Sequence, residues 1–592
     1  MTKFSRLLVI GLCFIIFSAG CYAIEIFPLG DVVPGLMGIG KTVVAGQDIE
    51  EFDVEVLGIV PQTPPTPDLI LVRLSGEVID RTGGIASGMS GSPVYIDGAL
   101  LGAVSYGYSL ADHRIAMLTP AQAMLDLMDR LPYAEAGNEV YRDVSEEMVA
   151  MKSPVVVSGI GGRALNYLRE SLPQLHFADV PALAHRVDVE PGRLEPGSAF
   201  AVQLMRGDFQ AASFGTVTHV DEDGRFVGFG HPFTHLGSVE FFAADAYVHY
   251  TMPSIDFPYK ILSVGEPIGG VFEDRAAGVA GRLGQEPQYV PVKIIIHDKD
   301  HDLQRTYNVQ VITEPSLMIP LILSSAYQGV DATLDRVGAG TAYVRLQFDS
   351  PDIPYPMIRE NLYYSDSDIA VWSLIDLNYG LELLANNSLQ EIELSQITVV
   401  IELAEERQTA SIEKAVPRLS TVVPGDSLEV EVTIRPYRQE PETRILRIDI
   451  PEDTMPGLLT VTVRSGAEGY YVSKPPVHVS LATEYDDDEE VPHTVATGAE
   501  SLDKLITDFM DREKNNEIVA EFYPFIDSFT SSARTLADEI GEEDSGEVEE
   551  TLSIPAFRWN DTTTEMQSVR LSTQYVMEGM ASFDIEVVAP EY

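Results

Sequence analysis

The stretch Thr82-Gly-Gly-Ile-Ala-Ser-Gly-Met-Ser-Gly-Ser-Pro-Val-Tyr-Ile96 decides how the rest of the chain is read. Glycines on both sides of a serine let the backbone turn tightly. Such a turn exposes the hydroxyl and aims neighbouring N–H groups at one point, as an acyl-transfer nucleophile with an oxyanion hole requires. The same residues also suit a plain Gly/Ser turn between strands, and Ser90 and Ser92 both offer a hydroxyl.

The surroundings of this stretch are strand-like. Upstream, Phe52–Leu57 and Leu69–Leu74 are β-branched and apolar runs; downstream, Val94–Ile96, the turn signal Asp97-Gly98 and Leu100–Val104 read as a hairpin. Thr119-Pro120 then opens a helix, with Thr119 expected as its N-cap. A second β-rich block runs from Pro154 to about Ile296, with a hairpin at Gly215–Val220, Asp221–Gly224 and Phe226–Phe229. A mixed region to about residue 405 contains helix-like text at Ala370–Asn387. Beyond it Leu428, Val430, Val432 and Ile434 alternate with charged residues, and Ile445–Ile450 and Leu458–Val463 are strand-like too, as in a sandwich sheet. Glu484–Glu490 is an acidic linker, after which Leu502, Leu505, Ile506, Phe509 and Met510 share one helical face.

Composition narrows the function. The 592 residues imply about three to five domains, and a hydrophobic content of 45% is enough for packed cores. A net charge of −52 repels phosphate, which argues against nucleic acid or an anionic membrane as partner. Cys13 and Cys21 are the only cysteines, so the rest of the chain can form neither a disulfide nor a cysteine-ligated zinc site. Lys3 and Arg6, the apolar run Leu7–Phe17 and the small residues before Ala23 form a secretory signal, too short to span a bilayer. Lipoprotein processing at Cys21 ranks second, because Ser18 stands where a lipobox carries leucine. The expected protein is exported, in the envelope, periplasm or exterior, with no later membrane span.

Three segments now carry a resemblance. Thr82–Ala103, the Gly228-Phe-Gly-His231-Pro232 segment and Gly269–Leu283 resemble the SpoIVB sporulation peptidase family, and Gly-x-Ser-Gly-Ser-Pro is similar to chymotrypsin-like serine peptidases. Together they cover roughly residues 24–290. The resemblance implies a two-lobed chymotrypsin-like β-barrel unit in a mostly β chain with some α. It also implies Ser90 as nucleophile, His231 as base, Gly88 and Ser90 N–H groups as oxyanion donors, and no cofactor or metal. Two departures stand out. Ser90 precedes His231, the reverse of the family's order, and Ser75 occupies the position of the family's acid. Asp68 is taken as the third residue, with Asp80 and Asp245 as alternatives. No PDZ domain is recognisable; Leu194–Ser198 is a weak echo.

The domains expected are a signal at 1–23, a Ser-bearing lobe at 24–140 and a His-bearing lobe at 141–290. A mixed region at 291–404, a β-sandwich at 405–484 and an acidic linker with a C-terminal α/β region at 485–592 complete the chain. The expected function is an exported serine endopeptidase that cuts a protein or peptide, itself exported or membrane-anchored. The alternative is an inactive peptidase-fold binding or scaffold protein. Val155–Ala164 with Asp179 imitates a dinucleotide-binding turn but lacks repeated βαβ units, and a plain helix-start turn suits it better. His231 and His235 are spaced as helical metal ligands, yet Pro232 breaks such a helix. His297–Asp302 lacks the glycine and final glutamate of a calcium loop and reads as a hairpin turn.

Overall fold

Alternating apolar side chains in the N-terminal part of the chain close a barrel. The computed structural model describes residues 24–108, 110–131, 149–150, 154–178, 194–467, 501–524 and 566–589. The expected signal at 1–23 and the acidic linker at 484–490 lie outside them. Strands β1 (Met37–Val43), β2 (Ile49–Val60) and β3 (Leu69–Ser75) lead into helix α1 (Glu77–Thr82), followed by β4 (Pro93–Ile96), β5 (Ala99–Gly107) and β6 (Ile115–Pro120). They pair in the order β4-β1-β2-β3-β6-β5, and β5 returns to β4, so six strands form a closed ring. Phe52, Val54, Val56, Ile70, Val72 and Leu74 alternate into its core. Each such burial stabilises by roughly 1.5–3 kcal/mol. The β4–β5 turn has positive φ at both Asp97 and Gly98, as a tight hairpin requires.

Helix α2 (Ala121–Met128) follows β6 directly. Its expected N-cap is corrected: Thr119 belongs to β6, Pro120 is the cap residue, and no side chain caps the helix. The Thr119 hydroxyl finds a stronger use elsewhere, described below. Met124, Leu127 and Met128 pack α2 against Val227, Phe272 and Ala280.

A short strand β7 (Val149–Ala150) pairs with β5, and β8 (Val156–Ser158) leads to helix α3 (Gly162–Ser171). A second ring then forms from β9 (Ala199–Gly207), β10 (Gln210–Val220), β11 (Arg225–Gly228), β12 (Gly237–Met252), β13 (Tyr259–Arg275) and β14 (Gly278–Leu283). The pairing runs β9-β12-β13-β14-β11-β10 and returns to β9. Phe200 fills this ring, edge-on to Phe226 at 5.7 Å and tilted against Phe229 at 5.2 Å. The chain divides into two compact units, and both rings belong to the first, which comprises the chain to Ser158, Gln174–Gln203 and Ala211–Pro287. The fold is mostly β, with a closed six-strand barrel and further curled sheets, as the resemblance implies.

In the other unit, Tyr289–Asp298 and Leu303–Ile312 form a hairpin around the polar turn at His301, and Tyr289–Asp298 pairs in parallel with Gln396–Ala404. Helix α4 (Pro315–Leu334) packs on this hairpin. The helix-like text at Ala370–Asn387 resolves into two helices, Ile369–Trp372 and Ile375–Ala385. The Gly-rich turn before α3 gives its Gly161 N–H to Gln328 Oε1 at 2.8 Å, a structural bond at the place where a dinucleotide phosphate would sit. Two further sheets share one core, in which Val430, Val432, Val461 and Val463 meet Ile518, Phe522, Met577 and Ile585. Strands well beyond residue 484 therefore complete the module. The helix Leu502–Met510 buries Leu505, Ile506 and Phe509, and Ser501 caps it by accepting from Lys504 N–H. Among the described residues no helix is long and apolar enough to cross a membrane.

Candidate active site

The Ser90 turn starts where α1 ends. Gly83 terminates α1 in the left-handed region, and Gly88 and Gly91 take φ of +93° and +92°. Gly91 admits no side chain: a Cβ there would lie 1.9 Å from Thr216 O and 2.5 Å from Phe229 N. The turn is held mostly by the second ring. Ser90 O accepts from Thr216 N–H (2.7 Å), Gly88 O from Thr216 Oγ1 (2.9 Å), and Gly91 O from Thr218 Oγ1 (2.7 Å). The N–H groups of Ser87, Met89, Gly91 and Ser92 are all spent on backbone carbonyls.

The opposite flank of the turn is tied to the start of β13. Ser87 N–H donates to Pro258 O at 2.8 Å and Lys260 N–H to Ser87 O at 3.0 Å. The buried Lys260 ammonium donates to Gly88 O at 2.9 Å and Thr42 Oγ1 at 3.1 Å. Burial without a carboxylate lowers its pKa to about 7.

The histidine turn follows β11. Phe229 and Gly230 both have positive φ, which a bulky residue such as Phe229 rarely adopts. Its ring is held by packing on Phe200 and against Gly215. Here Thr119 has its function: Oγ1 donates to Gly230 O at 2.5 Å, and Ser105 Oγ lies 2.9 Å from the same hydroxyl. Beyond the histidine, the buried Asp274 carboxylate accepts from the N–H groups of Phe233 (2.8 Å), Thr234 (2.6 Å) and His235 (2.9 Å), and from Thr234 Oγ1 (2.6 Å). Burial raises its pKa, while the four donors pull the other way.

These two turns bring Ser90 and His231 together: Oγ lies 2.9 Å from Nε2. On the other side of the ring, Nδ1 lies 2.7 Å from Pro232 O. A carbonyl can only accept, so Nδ1 carries the proton and Nε2 presents its lone pair to the Ser90 O–H. Tyr106 and Phe229 flank the imidazole at 6.2 and 5.9 Å between ring centres. Ser90 is 0% and His231 1% exposed.

The other candidates lie elsewhere. Asp68 is exposed and its Oδ1 accepts from Gln62 N–H at 2.9 Å. Asp80 pairs with Arg114 at 2.7 Å on the surface, and Ser75 is exposed at the end of β3. Asp245 is buried in β12 with its carboxylate against Gly265. Ser92 Oγ is buried with no hydrogen-bond partner among the described residues. No group of three potential metal ligands occurs among the described residues.

Sequence reasoning missed three participants. Asp274 lies inside the quoted Gly269–Leu283 segment and is its one aspartate. Lys260 is a lone lysine in the apolar run Tyr259–Val264. Thr119, before Pro120, has the local signature of a helix cap, although the preceding residues continue a strand.

A serine hydroxyl within hydrogen-bond reach of a histidine nitrogen, each on a tight turn, is an arrangement that can serve acyl transfer. The SpoIVB peptidase S55 family matches the chain over residues 23–113, a segment that contains Ser90 and ends before His231. No curated protein and no solved structure matches the chain.

Proposed function

We propose that the protein is an exported serine endopeptidase of the SpoIVB type, acting on another exported or membrane-anchored protein through Ser90 and His231. The observation that carries this reading is the 2.9 Å contact between Ser90 Oγ and His231 Nε2, with Nδ1 protonated toward Pro232 O. As Oγ bonds to a peptide carbonyl carbon, its proton passes to Nε2 and the carbonyl oxygen takes the negative charge. The N–H groups of Gly88 and Ser90 receive that oxyanion. The C–N bond then breaks, Nε2 returns the proton to the departing amine, and the acyl group stays on Oγ. Water attacks the ester, giving its proton to Nε2, and Ser90 leaves with that proton as the acid is released. The Pro232 carbonyl takes the orienting role that a carboxylate has in a triad; it fixes the tautomer but stabilises the imidazolium less.

A second reading, a binding or scaffold protein on a peptidase fold, draws on a specific observation: both members of the pair are shielded from solvent. The two are separated by incubating the full chain with an unfolded exported protein and following new N-termini by mass spectrometry. Cleavage that disappears in Ser90→Ala supports the peptidase. Binding that is equal in wild type and Ser90→Ala, without any cut, supports the scaffold.

A further inference from the structure

Lys260, the second residue of β13, is 6% exposed and meets no carboxylate among the described residues. Its ammonium donates to Gly88 O at 2.9 Å and to Thr42 Oγ1 at 3.1 Å. Burying an ammonium without a counter-ion is strongly unfavourable, and a methionine would fill the same space without that penalty. We infer that Lys260 is a positioning residue for acyl transfer: its ammonium holds the peptide between the two oxyanion donors, Gly88 and Ser90, and the chain reacts fastest while that ammonium is charged. The inference rests on the peptidase reading above.

Three successive peptide planes make the connection. In a trans peptide the C=O and N–H bonds point in opposite directions, so a bond to one end fixes the other. Ser87 O accepts from Lys260 N–H at 3.0 Å, which sets the direction of Gly88 N–H. Met89 O accepts from Ser92 N–H at 2.9 Å, which sets the direction of Ser90 N–H. Between them lies the Gly88–Met89 peptide. Its N–H donates to Ala86 O at 2.8 Å, and its carbonyl accepts from Lys260 Nζ and Thr216 Oγ1. Gly88 sits at φ +93°, and glycine has no Cβ to resist rotation there. The lysine stem packs on it instead: a Cβ on Gly88 would lie 3.1 Å from Lys260 Cδ. Lys260 thus holds both peptides that meet at Gly88, one by its backbone N–H and one by its side chain.

The charge adds to the bond. A charged donor binds a carbonyl roughly twice as strongly as a neutral one. A buried cation beside the turn also opposes the negative charge that forms there. Burial lowers the Lys260 pKa to about 7, so the ammonium is present below that value and lost above it. The groups around it from neighbouring elements are uncharged: Thr42 of β1, Val156 of β8, Phe214 of β10, Thr251 of β12 and the Ser87–Gly88 turn, with the Tyr259 phenol beside it in β13.

The test follows fluorophosphonate labelling of the full chain against pH, at low probe concentration, in wild type and Lys260→Met, with melting temperatures alongside. In wild type the rate should rise as His231 becomes neutral and then fall about 10-fold above pH 7, where the Lys260 proton leaves. The lowered pKa makes stability rise across that same window, so unfolding does not produce the fall. Lys260→Met should keep the rise, lose the fall and label about 10–100-fold below the wild-type maximum. That is less than the roughly 10²–10³-fold cost of removing an oxyanion donor, because Thr216 still holds Gly88 O. A wild-type rate that stays level above pH 7 would overturn the inference even if Lys260→Met fails to fold. So would a Lys260→Met protein that labels as fast as wild type, keeps the high-pH fall, or loses labelling only in proportion to its unfolded fraction; each leaves the nucleophile standing. A folded wild type that labels at no pH would overturn the peptidase reading and the inference with it.

Discussion

His231 donates its Nδ1 proton to the carbonyl of its own neighbour, Pro232, at 2.7 Å. The tautomer that a base needs is therefore set within the turn itself. Asp68 is exposed, and its Oδ1 accepts from Gln62 N–H. Asp68→Asn is expected to leave serine-probe labelling within about 2-fold of wild type, in line with other surface substitutions. A loss comparable to that of His231→Ala would return Asp68 to the mechanism.

Asp274 holds the residues after His231 by four hydrogen bonds, so it positions the imidazole without touching it. In Asp274→Asn one acceptor oxygen becomes an NH2 that faces backbone donors. A displacement of about 1 Å at the imidazole costs on the order of 10²-fold in rate. Labelling should fall by that amount while circular dichroism stays native, and Thr234→Ala should cost much less. Unchanged labelling in a folded Asp274→Asn protein would remove Asp274 from the site.

Much of this was legible in the residues. The glycines around Ser90 announce a turn, Asp97-Gly98 and the β-branched runs announce a hairpin and strands, the family resemblance implies the barrel, and both segments that meet at the site could be quoted from the sequence. What could not be read is the use each polar side chain finds across the interface of the two rings. Thr119 before Pro120 has the local signature of a helix cap, yet its hydroxyl serves Gly230, far away in the chain. Lys260 in an apolar run gives no local sign that its ammonium will hold Gly88 O. Local chemistry sets the elements, and tertiary contact assigns their donors.

Thr119→Val tests that cross-ring bond. It keeps the shape and removes the donor, leaving the buried Gly230 carbonyl short of a partner at a cost of about 1–3 kcal/mol. Chemical denaturation should show a loss of that size, with slower labelling in the folded fraction. No change in either would mean that the bond is dispensable.

Lys260 makes a pH-dependent prediction. Its pKa is lowered to about 7 in the folded chain from the ordinary lysine value of 10.5. Between those values the unfolded chain binds more protons than the folded one, so stability rises with pH across that window, and the cost is greatest below about 7. Lys260→Met, which keeps the stem, should therefore gain in melting temperature relative to wild type most at pH 6 and least at pH 10. A difference that does not vary with pH would contradict the assignment.

The shielding of Ser90 sets a kinetic expectation. With the hydroxyl 0% exposed, a reagent reaches it only after the site opens. Labelling rates should rise with probe concentration and then level off at an opening rate, even for a small fluorophosphonate. A strictly linear dependence to high concentration would mean that the site is already accessible.

The most direct test of the central claim is to map the adduct. The full chain is treated with a fluorophosphonate, digested, and the modified residue located by mass spectrometry. The account predicts a single phosphonylated residue, Ser90, with Ser92 unmodified and labelling lost in His231→Ala. A folded protein that carries no adduct, an adduct on Ser92 or another residue, or full labelling of Ser90 without His231 would contradict it.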